Sequence, residues 1–90
     1  MRKRDRLEVI FDILCIIREH HNSIRPTPLL RASNLSTSGF AEYYEELVSK
    51  GFIKEVVDTE GIKYSTLCDK GFHFIERYDL IRKFIDDFEL

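Results

Sequence analysis

Apolar residues recur along the first part of the chain at the spacing of a helix. Over residues 5–20 they fall three or four positions apart, as one helical face requires: Leu7, Ile10, Leu14 and Ile17. Phe11 and Cys15 stand among further apolar residues that widen this surface beyond one stripe. The pattern therefore predicts a first helix that other elements cover on two sides.

The next segment predicts a break and a second, shorter helix. Ile24 lies before Arg25-Pro26 and suits a short extended piece, and Arg25, the residue before the proline, is biased away from the helical conformation. Thr27 can cap a helix that has Pro28 in its first turn and ends near residue 34.

A tight turn at Leu35 separates this helix from a third one. Ser36 or Thr37 can cap the third helix, and Gly51 can end it in the left-handed conformation that glycine adopts readily. Its inward face takes apolar and aromatic residues at helical spacing: Phe40, Tyr43 or Tyr44, Leu47 and Val48.

After Gly51 the pattern changes from that of a helix to that of strands. Residues 52–57 and 62–67 are rich in β-branched and aromatic side chains, and the four residues 58–61, Asp-Thr-Glu-Gly, connect them. This arrangement predicts a β-hairpin.

The last segment, residues 69–88, returns to the helical spacing. Asp69 is a candidate cap for this helix. Five apolar residues follow with the spacing of about two heptads: Phe74, Tyr78, Ile81, Ile85 and Phe88. The predicted order is thus helix, short strand, helix, helix, hairpin, helix, in one domain over residues 1–90. That order is the α+β winged helix-turn-helix arrangement with a long C-terminal helix.

Particular residues of the third helix, the hairpin and the last helix strengthen this interpretation. The matching positions are mostly core and turn residues: Leu35, Ser36, Phe40, Tyr43, Leu47, Gly51, Phe52 and Ile53. In these positions the chain resembles the small archaeal winged-helix DNA-binding regulators, a family that includes the ten-kilodalton Sulfolobus chromatin proteins and related archaeal viral proteins. The resemblance covers residues 5–88. One departure is Cys68, where the family tends to have threonine, and it moves the expected cap to Asp69.

The resemblance implies a protein that binds double-stranded DNA and dimerises through its last helix. It implies that the third helix lies in the major groove and that the hairpin forms a wing on the DNA backbone. The charge of the chain makes any such attraction local, because residues 1–35 carry seven Lys or Arg and four acids, whereas residues 36–90 carry seven and twelve. Residues 1–6 form a basic arm that could lie along the backbone or in a minor groove.

Three kinds of residue are candidate DNA contacts. Cations suit phosphate, hydroxyls at the start of the third helix suit a phosphate or a base edge, and Glu42 suits a cytosine amine. The set is Arg2, Lys3, Arg4, Arg25, Arg31, Thr37, Ser38, Glu42, Lys50, Lys54 and Lys63. Each cation could equally serve surface solubility. The glutamates at positions 42, 45 and 46 could form a solvated helix face, and those at 45 and 46 would repel phosphate.

The apolar face of the last helix is too large to leave in water, so it predicts an interface. A symmetric homodimer, parallel or antiparallel, would bury the following residues: Phe11, Phe74, Tyr78, Ile81, Phe84, Ile85 and Phe88. Alternatively, the last helix folds back on the first helix of its own chain.

Other functional classes find little support in the sequence. No glycine-rich phosphate loop or nucleophile motif is present, so we expect no enzyme and no cofactor. His20, His21, Cys68 and His73 lack a standard zinc-ligand spacing. No apolar run approaches the roughly 20 residues of a membrane span, and no secretory signal is visible, which predicts a cytoplasmic location. Two hypotheses remain: a dimeric DNA-binding transcriptional regulator, and a winged-helix module whose acidic third helix docks a protein partner.

Overall fold

Four helices and one antiparallel hairpin form the fold in a computed structural model that describes residues 4–90. The elements are α1 (Arg6–Glu19), α2 (Pro26–Ser33), α3 (Thr37–Ser49), β1 (Ile53–Val57), β2 (Lys63–Leu67) and α4 (Asp69–Asp87). This order confirms the predicted winged helix-turn-helix arrangement with a C-terminal helix.

The first helix lies at the centre of the core. Its N-cap is Asp5, whose carboxylate accepts a hydrogen bond of 2.8 Å from the Glu8 amide. Ile13, Leu14 and Ile17 are fully buried, and α1 packs against α2, α4 and β2. The predicted two-sided cover of this helix is therefore confirmed.

The second helix begins two residues earlier than predicted. Arg25 is its N-cap and Pro26 its first residue, whereas the sequence favoured a cap at Thr27 and a start at Pro28. The physical reason is that Pro26 fixes a helical φ and holds Arg25 in the extended conformation (φ −73°, ψ 150°), so the boundary moves to the first of the two prolines.

A short turn joins α2 to α3. Asn34 ends α2 in the left-handed conformation (φ 59°), and the Ser36 hydroxyl caps α3 by accepting a hydrogen bond of 3.1 Å from the Gly39 amide. Phe40 and Leu47 are the buried residues of α3. Gly51 follows α3 with a φ of 82°, which confirms the predicted stop.

The hairpin pairs in register from Ile53↔Leu67 to Val57↔Lys63. Its turn is held by the Asp58 carboxylate, which accepts hydrogen bonds of 2.9 Å from the amides of residues 60 and 62. Ile24 forms a bridge with Ser65 on the free side of β2, as expected for a short extended piece.

The last helix begins with Cys68 as its N-cap, not with the predicted Asp69. Cys68 has an extended backbone (φ −87°, ψ 172°) and makes no side-chain cap hydrogen bond, while Asp69 lies in the first turn, where its charge suits the helix dipole. Gly71 permits a close approach, because a Cβ there would lie 2.6 Å from the Phe52 carbonyl oxygen. From residue 80 onward every side chain of α4 is exposed, since the helix projects beyond the core.

Candidate nucleic-acid interface

A groove lies between the start of α2 and the tip of the hairpin. It has a volume of about 560 Å³. We call it the α2–hairpin groove, and its lining is Arg25, Pro26, Thr27, Pro28, Arg31, Gly61, Ile62 and Lys63. This lining holds three cations and no carboxylate. Three of the predicted phosphate contacts, which are separated by up to 38 positions in the sequence, are thus brought to one place.

The cations of this groove differ in their ion pairing. Within residues 4–90, the exposed side chains of Arg25 and Arg31 make no ion pair or hydrogen bond. Lys63 lies 3.8 Å from the Glu55 carboxylate, and both side chains of this loose pair are largely exposed. A groove with two arginines that are unpaired within residues 4–90 and one loosely paired lysine attracts phosphate.

The outward face of α3 has a different character. Thr37 and Ser38 are exposed at its N-terminal end, and Glu42 and Glu45 are exposed along it. The helix carries no lysine or arginine, so it can offer hydroxyls and carboxylates to a ligand but no cation.

Glu46 does not belong to that outward face. Its carboxylate pairs with the Arg6 guanidinium and lies 2.7 Å from the Lys50 ammonium. The hydrogen bond from Arg6, followed by the one from Lys50, lowers the pKa of Glu46 from its ordinary 4.5 to about 2. The same pairing raises the pKa of Arg6. Lys50, a predicted DNA contact, is therefore paired with a carboxylate of its own chain, although 57% of its side chain is exposed.

Arg4 is also engaged with its own chain. Its guanidinium donates hydrogen bonds of 2.9 Å to the Asp12 carboxylate and 2.9 Å to the carbonyl oxygen of Ser33, at the end of α2. We refer to Arg4, Arg6 and Lys50 with their acidic partners as the N-terminal clamp. Two residues of the predicted basic arm thus pack on the domain. The predicted contacts Arg2 and Lys3 lie outside the described residues.

Lys54 lies apart from the other hairpin cation. It pairs with Thr66 in the register, whereas Glu55 and Lys63 belong to the alternate positions. Lys54 therefore points to the opposite face of the ribbon from Glu55. The two predicted hairpin contacts do not form one cluster.

Hydrogen bonds from Tyr44 connect α3 to the hairpin, and the sequence did not predict them. The Tyr44 hydroxyl lies 2.8 Å from the Glu55 carboxylate and 2.6 Å from the Ser65 hydroxyl. Burial raises the pKa of Tyr44 to about 12. The sequence marked Tyr44 only as an alternative inward-facing residue, because its hydrogen-bond partners lie 11 and 21 positions away.

The predicted dimer residues divide into two groups. Phe11 is only 9% exposed, because Tyr78 of the same chain packs on it at a ring-centroid distance of 4.9 Å. Phe74 stacks on Tyr78 at 5.6 Å, and both are half-buried. The alternative in which the last helix folds back on the first therefore holds for its N-terminal half. The second group remains exposed: Ile81, Phe84, Ile85 and Phe88.

A second groove runs beside this exposed face, with a volume of about 480 Å³. Its floor is apolar and its rim carries cations. We call it the α4 groove, and its lining is Leu7, Phe52, Lys70, His73, Phe74, Arg77, Tyr78 and Ile81.

Residues 4–90 offer neither a metal site nor a membrane-spanning helix. In that range, no group of three or more His, Cys, Asp or Glu side chains is placed to hold a metal ion. His20 caps α1, with its Nδ1 atom 2.8 Å from the Ile16 carbonyl oxygen. None of the helices described here combines the length and the apolar character needed to cross a membrane.

Two known proteins are similar to this chain, one in sequence and one in structure. The chain is similar to an uncharacterised protein of Methanocaldococcus jannaschii, with 43% identity over 53 residues, or 59% of this chain and 53% of that protein. The match thus spans about half the length of the curated relative. The crystal structure of Sso10a-2, a DNA-binding protein from Sulfolobus solfataricus, superposes with a TM-score of 0.75 over 96% of this chain and 86% of that one, at 19% identity.

The structural likeness to Sso10a-2 shows the fold, and a family model supplies the membership. The model of a winged helix-turn-helix family matches residues 3–86, nearly the whole chain. This match agrees with the resemblance found over residues 5–88, whose matching positions lie between Leu35 and Ile53. The chain belongs to this winged helix-turn-helix family.

Proposed function

We propose that this protein binds double-stranded DNA as a homodimer and regulates transcription. The observation that carries the proposal is the α2–hairpin groove, in which Arg25 and Arg31 make no ion pair within residues 4–90 and Lys63 has a loose 3.8 Å contact with Glu55. The groove lies beside a helix-turn-helix, a motif that reads DNA in other proteins. A DNA-binding role also agrees with the cytoplasmic location expected from the sequence.

In this proposal the groove holds the DNA backbone. Arg25 and Arg31 contact phosphates from α2, Lys63 contacts them from the hairpin, and Lys54 is available on the other face of the wing. Such contacts fix the position of the protein on the duplex and make binding strongly salt-dependent, but they carry no sequence information.

Base reading would fall to the start of α3. Thr37 and Ser38 are exposed there and suit a base edge or a nearby phosphate, and Glu42 one turn later suits the amino group of cytosine. Because α3 has no arginine or lysine, the strong bidentate contact of those residues with guanine is not available to it. We therefore propose modest sequence preference on top of a larger electrostatic affinity.

The test is a fluorescence anisotropy titration of a labelled mixed-sequence duplex at about 50 mM and about 200 mM salt. The proposal predicts that affinity falls by at least an order of magnitude between the two, as release of counterions from several phosphates requires. Undetectable binding at the lower salt would contradict it.

Dimerisation is proposed to occur through the exposed half of α4. Phe84 and Phe88 are 57% and 63% exposed, and their rings lie 4.8 Å apart. An apolar face of this size is costly in water, and a second copy of the chain is the simplest partner that can cover it symmetrically.

An antiparallel pair fits the charges and the shape better than a parallel one. It would lay the C-terminal half of one α4, with Asp86 and Asp87, against the α4 groove of the other copy, with Lys70 and Arg77. A parallel pair would bring the two C-terminal halves together and leave both grooves open. The antiparallel pair therefore buries more apolar surface and matches opposite charges.

Sedimentation equilibrium of the Phe84→Ser/Phe88→Ser variant tests the dimer. We expect a monomer, whereas Leu80→Ser, which alters an exposed apolar residue beside that face, should remain dimeric. A monomeric wild-type protein would contradict the proposal. Spin labels on Glu89→Cys, in a background where Cys15 and Cys68 are replaced by serine, then distinguish the orientations, because only a parallel pair brings the two labels close together.

A protein partner is the second candidate. Glu42 and Glu45 are exposed and, within residues 4–90, make no ion pair. An acidic helix face of this kind suits a basic protein surface. If the anisotropy titration shows no DNA binding, Glu42→Gln/Glu45→Gln is the variant to compare with the wild-type protein in binding to a basic partner.

A further inference from the structure

A chain of polar contacts joins the third helix to the cation at the hairpin end of the α2–hairpin groove. It begins at Tyr44 on α3, whose hydroxyl contacts Ser65 on β2 and Glu55 on β1. The same Glu55 oxygen lies 3.8 Å from the Lys63 ammonium. Tyr44 is thus connected, through one carboxylate, to a residue that we propose contacts DNA.

The protons of this chain have one consistent arrangement. An ionised carboxylate only accepts hydrogen bonds, so the Tyr44 hydroxyl donates to Glu55. The Ser65 hydroxyl is fully buried and then donates to the Tyr44 oxygen. A phenol is protonated at neutral pH, and burial raises the pKa of Tyr44 further, to about 12, so this donation to Glu55 persists under ordinary conditions. The side chains of Tyr44, Glu55 and Ser65 thus each have a hydrogen-bond partner.

The hairpin needs such a support. Its base is anchored by the buried residues Ile53, Ser65 and Leu67, but from residue 54 to residue 63 all side chains except Ile62 are exposed. A two-stranded hairpin is marginally stable on its own in water. The contact of Tyr44 with Glu55 is made two residues beyond the buried base, at a point where the ribbon begins to leave the core.

We propose that Tyr44 is a positioning residue, which holds Glu55 and through it the Lys63 ammonium in place on the hairpin beside the α2–hairpin groove. This inference rests on the proposed DNA-binding function. It assigns Tyr44 no contact with DNA, and it makes Glu55 a support for the wing, although a carboxylate near phosphate would otherwise weaken binding.

The central variant is Tyr44→Phe, which keeps the ring stacked on Phe40 at 5.4 Å and removes only the hydroxyl. Tyr43→Phe is the matched control, because within residues 4–90 the Tyr43 hydroxyl makes no hydrogen bond. Amide hydrogen exchange of the free protein is measured first. We expect residues 55–64 to exchange faster in Tyr44→Phe than in the wild-type protein. In Tyr43→Phe the same residues should exchange at the wild-type rate. Equal exchange in both variants would overturn the inference.

DNA binding supplies the second readout. Tyr44→Phe should weaken the affinity by about fivefold, as expected for the loss of one hydrogen bond, with an unchanged salt slope. Lys63→Ala should reduce the slope by about 0.9, because it removes a phosphate contact. A slope in Tyr44→Phe that falls as it does in Lys63→Ala would place Tyr44 on the DNA itself and overturn the positioning role.

Glu55→Gln gives the sharpest contrast. If Glu55 positions Lys63, the variant binds DNA more weakly although a negative charge has been removed. Stronger binding would show that Glu55 merely repels phosphate, and would overturn the inference. If the wild-type protein shows no salt-dependent binding, the proposed function fails, and the exchange measurement alone decides whether Tyr44 holds the hairpin.

Discussion

Two cationic regions of this domain have opposite electrostatic surroundings. In the N-terminal clamp, Arg4 faces Asp12, while Arg6 and Lys50 share Glu46. In the α2–hairpin groove, Arg25 and Arg31 have no such partner within residues 4–90. The cations of the clamp form ion pairs and hydrogen bonds that connect α1, α2 and α3. The arginines of the groove form no such pair, so they can bind an anionic ligand.

A basic residue near a helix-turn-helix is therefore not a DNA contact by residue type alone. A cation whose charge is already matched by a nearby carboxylate gains less from phosphate, because the existing pair must first be broken. Substitutions in the clamp should therefore change mainly the free energy of unfolding, whereas substitutions in the groove should change mainly the affinity for DNA.

The largest effect is expected when the groove loses two cations. Arg25→Ala/Arg31→Ala should weaken binding to a mixed-sequence duplex by at least about tenfold at low salt and reduce the salt slope by about 1.8. Its thermal stability should change little, since within residues 4–90 neither side chain makes a hydrogen bond or an ion pair. Anisotropy titrations over a range of salt measure both quantities.

The matched control for this double variant is Arg18→Ala/Lys83→Ala. It removes the same charge from exposed positions on α1 and α4, outside the groove lining. An equal loss of affinity in the control would mean that total charge, and not the groove, determines binding.

The reverse result is expected for Arg4→Ala. Loss of its hydrogen bonds to Asp12 and to the Ser33 carbonyl should lower the free energy of unfolding by about 1–2 kcal/mol and the Tm by at least roughly 4 °C. DNA affinity of the folded protein should stay near the wild-type value. Thermal unfolding is followed at one fixed protein concentration, because a dimer makes Tm concentration-dependent. A wild-type Tm together with weaker DNA binding would reverse the assignment of Arg4.

A smaller effect on protein stability is expected when acid protonates the Glu46 carboxylate. Because the pKa of this carboxyl is lower in the folded protein than its ordinary 4.5, its ionisation contributes stability above about pH 4.5. That contribution is lost as the pH falls toward the folded-state value of about 2. Glu46→Gln should therefore be less stable than the wild-type protein at pH 6, and the difference should vanish near pH 2. Urea unfolding at several pH values measures it, and a pH-independent difference would argue against the clamp.

The smallest effect is expected for Lys50→Ala in DNA binding. Its ammonium is paired with Glu46, so its removal should leave the salt slope unchanged, whereas Lys63→Ala should lower it by about 0.9. A slope reduced equally in both variants would place the end of α3 on the DNA backbone and would erase the distinction between the two regions.

Local patterns explain why the helices, the turn and the hairpin could be predicted. Apolar spacing, the Ser36 cap and Gly51 act within a few residues, and the structure follows them. The misplaced caps at Thr27 and Asp69 were errors of one or two residues, where a neighbouring residue with an extended backbone formed the boundary instead.

The site was less predictable because its character depends on distant partners. Arg4 acquires a contact 29 positions away at Ser33, and the partner of Arg6 lies 40 positions away at Glu46. No periodicity in the sequence distinguishes these arginines from Arg25. Only the folded chain shows which charges are already matched.

The most direct test of the central claim is an NMR titration of the ¹⁵N-labelled protein with a short duplex, followed through its backbone amides. If DNA lies in the α2–hairpin groove and on the start of α3, the largest shift changes fall at residues 25–31, 37–42 and 58–63. If the largest changes fall instead at residues 4–6 and 46–50, with the groove unaffected, then DNA binds the clamp and the proposed interface is wrong.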